Sequence, residues 1–171
     1  VGEAYDKVAR VMGLKYPGGP LIDEYGHKGN DTYNLPMPLN DNSYNFSFSG
    51  IKSAVINLIH NETQRGNEIN VYDLATSFQE RVVGILVKKT MRALKEYNCN
   101  NLIIAGGVSA NKRLREYMKE ECEKNKINLT VPNIKYCTDN AAMIGAAGYY
   151  AYKLGRRASI DLNAKANDKL N

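Results

Sequence analysis

The sequence contains no run of apolar residues near the length of about 18 that a membrane-spanning helix requires, so no segment reads as a span. It holds only three cysteines, Cys99, Cys122 and Cys137, widely separated and without a Cys-x-x-Cys pair. That pattern excludes a disulfide framework and a zinc knuckle, and it reads as reduced thiols in a cytoplasmic protein. Histidine is scarcer still. His27 and His60 form no His-x-x-x-His pair, and His60-Asn61-Glu62 is not a metalloprotease motif. The chain opens Val1-Gly2-Glu3, with neither an initiator methionine nor a basic-then-apolar leader. No signal peptide is visible, and the expectation is a processed or excised piece of something longer.

What is present is ordinary globular material. Of 171 residues, 43% are apolar and 24% charged, which excludes wholesale disorder. The length is close to one domain of about 150 residues, enough to bury about two-thirds of the unfolded surface. The net charge is 23 − 18 = +5, with a pI near 9.0. This mild basicity is compatible with nucleic acid but is shared by many soluble enzymes. Glycosylation-type triplets such as Asn45-Phe46-Ser47 and Asn128-Leu129-Thr130 are coincidences in a cytoplasmic chain.

Periodicity places the elements. Ala4, Tyr5, Val8 and Val11 predict a helix from Gly2 to Met12, ended by Gly13. A turn follows at Tyr16-Pro17-Gly18-Gly19-Pro20, then a short helix from Leu21 to Tyr25 and a polar loop from Gly26 to Tyr44. Asn45 to Ser49 alternates like a short strand, and Gly50 opens a helix carrying Ile51, Val55, Leu58 and Ile59. After a polar connector from Asn61 to Asn70, Asp73 to Tyr97 is the longest periodic segment. Its apolar face includes Leu74, Phe78, Val82 and Ile85, with Lys88, Lys89, Arg92 and Lys95 on the other.

Leu102 to Ala105 reads as a buried strand ending at Gly106-Gly107, after which Ser109 is placed to cap a helix through Cys122. A second strand is predicted at Ile127 to Val131, and Thr138-Asp139 is placed to cap a last helix from Asn140 to Leu154. The Ala/Gly face of that helix predicts close packing against its backbone. From Gly155 the chain is polar. Strands alternating with helices make this a helix-rich α/β protein.

Three places have chemical potential. At Ala105 to Asn111, a strand delivers two glycines onto a helix start, where backbone N–H groups and the helix dipole favour a phosphate or ribose. A glycine-softened turn is the plain alternative, because the spacing is neither a P-loop nor a Rossmann pattern. Asp139 is an N-cap or a hard-oxygen metal ligand. Asp6 and Asp23 flank the Gly18-Gly19-Pro20 turn, where carboxylates can hold the two hydroxyls of a ribose or simply face solvent. The basic residues Lys88, Lys89, Arg92, Lys112, Arg113, Arg115, Arg156 and Arg157 are either solvated helix faces or a tRNA footprint.

Taken in order, Gly2-Glu3-Ala4-Tyr5-Asp6-Lys7, Tyr16 to Pro20, Phe46-Ser47-Phe48-Ser49-Gly50-Ile51-Lys52, Ala105 to Asn111 with Leu114-Arg115, and Cys137-Thr138-Asp139-Asn140-Ala141-Ala142-Met143 closely resemble a known family. It is the TsaD/Gcp family of tRNA threonylcarbamoyladenosine synthesis proteins, in its bacterial form and its C-terminal half. The resemblance covers the chain to about Arg157. It implies an actin-like ATPase (ASKHA) fold of two α/β lobes, of which residues 1–157 are most of the second lobe and 158–171 a polar tail. It implies transfer of a threonylcarbamoyl group from threonylcarbamoyl-adenylate to the exocyclic amine of the adenosine next to the anticodon in tRNAs reading ANN codons.

By the same resemblance Asp6, Gly19, Asp23, Gly106, Gly107 and Asn111 serve the adenylate nucleotide, and Asp139 is a ligand of an active-site iron or zinc. The implied partners are tRNA, an inert paralogue and a small ATPase. The family's His-x-x-x-His ligands and its Ser-Gly-Gly loop do not occur here. The metal site is therefore expected to be incomplete in this chain and the isolated chain inactive, with exposed sheet edges that favour self-association. The competing reading is a nucleotide-binding actin-like scaffold acting through protein partners. A peptidase reading lacks any nucleophile–His–acid set.

Overall fold

The computed structural model describes residues 1–163. The predicted tail, 158–171, therefore lies partly outside the described residues. The chain divides into two compact units, Val1–Cys137 and Thr138 onward.

The first unit is built on helices. α1 (Gly2–Val11) buries Tyr5, Val8 and Ala9, one face of a 3.6-residue period. α2 spans Gly18–Gly26, three residues earlier than the turn at Tyr16 to Pro20 suggests, because Pro20 falls in the first helical turn, where its missing N–H costs nothing. α3 (Ser49–Gln64) buries Ile51 and Val55 and runs on into the predicted polar connector. α4 (Val71–Glu96) starts where Asn70 accepts the N–H groups of Tyr72 and Asp73. Its 26 residues include twelve buried ones, so it is the axis of the core.

Phe78, Leu74 and Val82 of α4 are fully buried against Tyr5, Val8, Ile22, Ile51 and Val55. Each such side chain contributes about 1.5–3 kcal/mol when removed from water. A second cluster joins Val83 and Val87 to Leu114, Met118 and Cys122 of α5 (Lys112–Lys124). This cluster also takes Leu102, Ile104 and Leu129 from the strands.

The sheet has two strands among the described residues, β1 (Asn101–Ile103) and β2 (Asn128–Thr130). They run parallel in the register Asn101–Asn128, Leu102–Leu129 and Ile103–Thr130, with α5 as the crossover. Leu102 and Leu129 point one way into the second cluster, while Ile103 is 72% exposed.

Three sequence expectations fail here for physical reasons. Asn45 to Ser49 is not a strand: no strand pairs with it among the described residues, and Phe46 stacks on Phe48 with ring centroids 6.2 Å apart. Lys89 is not on a solvated face. It is 2% exposed, and its ammonium donates to Asp41 Oδ1 at 2.8 Å and to the Asn45 carbonyl at 2.6 Å. Ser109 does not cap α5. It closes a 3₁₀ turn (Gly107–Ala110) by donating its hydroxyl and its N–H to the Gly106 carbonyl, and Asn111 is the cap.

Among the described residues, the second unit holds one helix, α6 (Ala141–Lys153), followed by an irregular segment. Asn140, not Thr138 or Asp139, caps it by accepting the Met143 N–H at 3.0 Å. None of its residues is buried, and a side chain added at Gly145 or Gly148 would meet nothing within 4 Å. Within this unit, the close packing predicted from its Ala/Gly face is not found, because no second apolar element is present there among the described residues. No helix among the described residues is long and apolar enough to cross a membrane.

Candidate functional site

Asp6 lies on α1 and is half-buried, and its Oδ1 accepts the backbone N–H of Gly18 at 2.8 Å. A carboxylate at the start of α2 faces the positive end of the helix dipole. This is not the solvated carboxylate of the plain reading. Gly18 is buried and has no space for a side chain: a Cβ would stand 2.3 Å from the Ala9 Cβ and 3.0 Å from the Asp6 Cα. Gly19 is different, because a Cβ there would meet nothing within 4 Å, and its φ is not positive. Glycine costs a helix about 1 kcal/mol relative to alanine. Neither packing nor backbone conformation accounts for that cost at Gly19.

Asp23 reaches from α2 to the start of α5. Its Oδ2 accepts the Lys112 N–H at 2.8 Å and its Oδ1 lies 3.5 Å from the Arg113 N–H. Asn111 completes the same helix start by accepting the Leu114 N–H on its Oδ1 at 2.8 Å. The amides that the sequence offers to a phosphate are thus satisfied by protein oxygens.

Gly106 turns the chain from β1 toward α5 at φ +84° and ψ 172°, a region open essentially to glycine alone. Gly107 carries nothing within 4 Å of an added Cβ. Hydrogen bonds and the short Gly106–Asn111 turn therefore link Asp6, Asp23, Gly106, Gly107 and Asn111, with Gly19 beside them at the start of α2. Asp139 stands in the second unit, exposed, one residue ahead of the α6 cap.

Sequence reasoning missed two members of this network and a buried tyrosine beside it. Gln79 is 1% exposed and accepts the Asn111 side-chain amide on its Oε1 at 2.7 Å. The visible signal was a glutamine beside Phe78 within the longest periodic segment of the sequence. Glu80 grips Arg113 with both oxygens, Nη2 to Oε2 at 3.0 Å. Tyr5 buries its hydroxyl with no hydrogen-bond partner among the described residues. Burial, reinforced by the charges of Asp23 and Glu80, pushes its phenol far above the usual tyrosine range, so it stays neutral. His27 is held between acidic groups, 3.7 Å from Asp23 and 3.5 Å from Glu116.

The basic residues are largely committed. Arg115 donates to the Ser109 and Pro132 carbonyls and to the Cys137 thiol. Arg92 donates to the Ser43 carbonyl at 2.7 Å and stacks on Tyr44. These bonds tie loops to helices and account for most of the basic pattern without a ligand. As for a metal, the described residues bring no three His, Cys, Asp or Glu side chains together. Asp139 is one hard-oxygen donor, and a bound divalent ion needs about four or more. The residues present do not by themselves fit a metal.

The fold and this network define a helix-rich α/β protein of the strand–Gly-Gly–helix kind, with polar side chains gathered at helix starts. The TsaD family, described as tRNA N6-adenosine threonylcarbamoyltransferase, matches residues 1–146, and the chain belongs to it. A relative from Staphylococcus saprophyticus bearing that same name is 58% identical over 164 residues, covering 95% of this chain and 48% of the relative. Relatives of the same name from Staphylococcus epidermidis and Staphylococcus aureus are 56% and 54% identical over 168 residues, covering 98% of this chain and 49% of theirs. The chain thus spans about half the length of the curated relatives it matches.

Proposed function

We propose that this chain is the nucleotide-holding part of a tRNA threonylcarbamoyltransferase. The whole protein moves a threonylcarbamoyl group from threonylcarbamoyl-adenylate to the exocyclic amine of the adenosine beside the anticodon in tRNAs reading ANN codons. The observation that carries this reading is the family match over residues 1–146, a span that takes in all five motifs. Relatives bearing the transferase name at 54–58% identity support it. In this reading the whole protein has the actin-like ATPase fold, and the chain is most of its second lobe.

The work of the chain is positioning rather than acid–base chemistry. One oxygen of Asp6 is held by the Gly18 amide, and the other is left to accept a ribose hydroxyl. Gly19 and Gly107 leave open space beside their backbones, which lets the nucleotide approach the chain closely. Asp23 fixes the start of α5, so that Asn111 is presented in one orientation. In the reaction the adenosine amine forms a C–N bond to the carbamoyl carbon, the bond to the adenylate oxygen breaks, and adenylate leaves as the amine loses a proton. Held ribose and base cut the entropy cost of that encounter.

Asp139 would supply one ligand to a divalent ion, iron or zinc, whose chemistry when bound is to stabilise developing oxygen charge. The partners proposed are tRNA, an inert paralogue and a small ATPase. The test is a transfer assay with threonylcarbamoyl-adenylate and tRNA, using this chain together with the half that its relatives have in addition. Transfer supports the reading, and its absence from the combined halves overturns it. Turnover by the 171-residue chain alone would overturn the view that its site is incomplete.

A further inference from the structure

We infer that Gln79 is a positioning residue for nucleotide binding, acting through Asn111. The inference rests on the nucleotide-site reading above and deepens it. The hydrogen bonds leave no freedom in the matter. The Leu114 backbone can only donate, so the Asn111 atom 2.8 Å from it must be the amide oxygen. That places the Asn111 NH2 group toward α4, where Gln79 Oε1 accepts it at 2.7 Å. The acceptor role fixes the Gln79 amide in turn.

Asn111 has two N–H hydrogens and two acceptor sites on its oxygen. With Leu114 and Gln79 served, one N–H and one lone pair remain, in a fixed direction. Without Gln79 the side chain keeps its cap but loses the restraint on its amide plane.

The surroundings are shaped to keep Gln79 where it is. Its side chain is 1% exposed, between Phe78 and Glu80 on α4. Gly26, the last residue of α2, faces it: a Cβ there would lie 2.7 Å from Gln79 Nε2 and 3.3 Å from its Cδ. Thr76, one turn away on α4, donates its hydroxyl to the Gly26 carbonyl at 3.0 Å. α2 and α4 therefore close around the Gln79 amide. A buried amide that served packing alone would be replaced by leucine at little cost to function. Here leucine would leave an Asn111 N–H buried and unpaired, or let it turn away from the ligand.

The experiment measures transfer by this chain combined with the half its relatives have in addition, varying threonylcarbamoyl-adenylate. Gln79→Leu should raise the KM for the adenylate about tenfold and leave kcat within about twofold. Asn111→Ala should raise KM similarly, and Gln79→Leu should add nothing in the Asn111→Ala background, because the two act as one unit. Ser77→Ala, which removes a buried acceptor from the Tyr33 N–H, should lower thermal stability without moving KM. Gly26→Ala serves as a second variant: it displaces the Gln79 amide without deleting it and should raise KM in the same way. An unchanged KM in Gln79→Leu, or an undiminished effect in the Asn111→Ala background, overturns the inference while leaving the function intact. An unchanged KM in Asn111→Ala instead overturns the nucleotide-site reading, and this inference falls with it.

Discussion

Asp23 on α2 accepts the backbone N–H of Lys112 at the start of α5, 2.8 Å apart in space and 89 positions apart in sequence. The carboxylate thus does for α5 what a local capping residue does elsewhere, and it ties the Gly-Gly turn region to the segment that carries Asn111. Removing it should cost about 1 kcal/mol, read as a lower midpoint in urea unfolding. Asp23→Asn keeps an acceptor oxygen and should lose less than Asp23→Ala. Equal stability of all three proteins would show that the contact contributes nothing.

The two adjacent glycines should part company. Gly18→Ala forces a methyl group to within 2.3 Å of the Ala9 Cβ and should destabilise the chain by about 1–3 kcal/mol. Gly19→Ala enters open space and should leave stability unchanged or raise it by up to about 1 kcal/mol. Its effect should appear instead as weaker adenylate binding in the transfer assay. A Gly19→Ala protein with normal KM would remove this residue from the site.

Tyr5 is 3% exposed and packs edge-on against Phe78 with centroids 5.1 Å apart, while its hydroxyl finds no partner among the described residues. An unpaired buried hydroxyl costs about 1–3 kcal/mol. Tyr5→Phe keeps the ring and should therefore be at least as stable as the parent, with a thermal midpoint equal or higher. A large drop would reveal a hydrogen bond that the hydroxyl does make.

Acid should loosen the loop that covers the C-terminal half of α4. Lys89, followed by Ser43, holds the Asp41 carboxyl down to about 2, below the ordinary value of about 3.9. The folded form binds the proton less readily than the unfolded form, so this contribution is complete above about pH 4 and is lost as pH falls through about 2. Asp41→Asn should flatten the stability profile in that window and lower stability above about pH 4, near neutrality included. An unaltered profile below pH 4 would remove Asp41 from the acid response.

Asp139 is exposed and is not the cap of α6. Asp139→Ala should change stability by less than about 0.5 kcal/mol, yet abolish transfer and bound metal in the whole protein. Retention of both would end its assignment as a ligand.

Most of the helices were legible from periodicity alone. Val8, Ile51, Val55, Leu74, Phe78 and Val82 recur at helical spacing and are among the residues found fully buried. The strand before Gly106-Gly107 was legible in position, because a short apolar run before two glycines has few other uses. It ends at Ile103, however, and is not buried: Ile103 is 72% exposed, because the only strand paired with it among the described residues leaves one side uncovered. What misled was local pattern without a partner. Phe46 and Phe48 alternate as in a strand, but a strand exists only where another pairs with it. Lys89 sits among other basic residues in the sequence, but the loop at 41–45 folds over it and supplies a carboxylate and a carbonyl.

The scarcity of cysteine and histidine, the helical periods and the five motifs were properties of the sequence, and they determined the fold class and the family. Only the tertiary structure decided which side chains meet. It joined Asp6 to the amide of Gly18, Asp23 to that of Lys112, and Asn111 to Gln79. The physical reason is that a helix period reports which face is buried but not which residue of a distant helix lies across from it. That choice is made by packing, and the partners of buried polar groups follow from it.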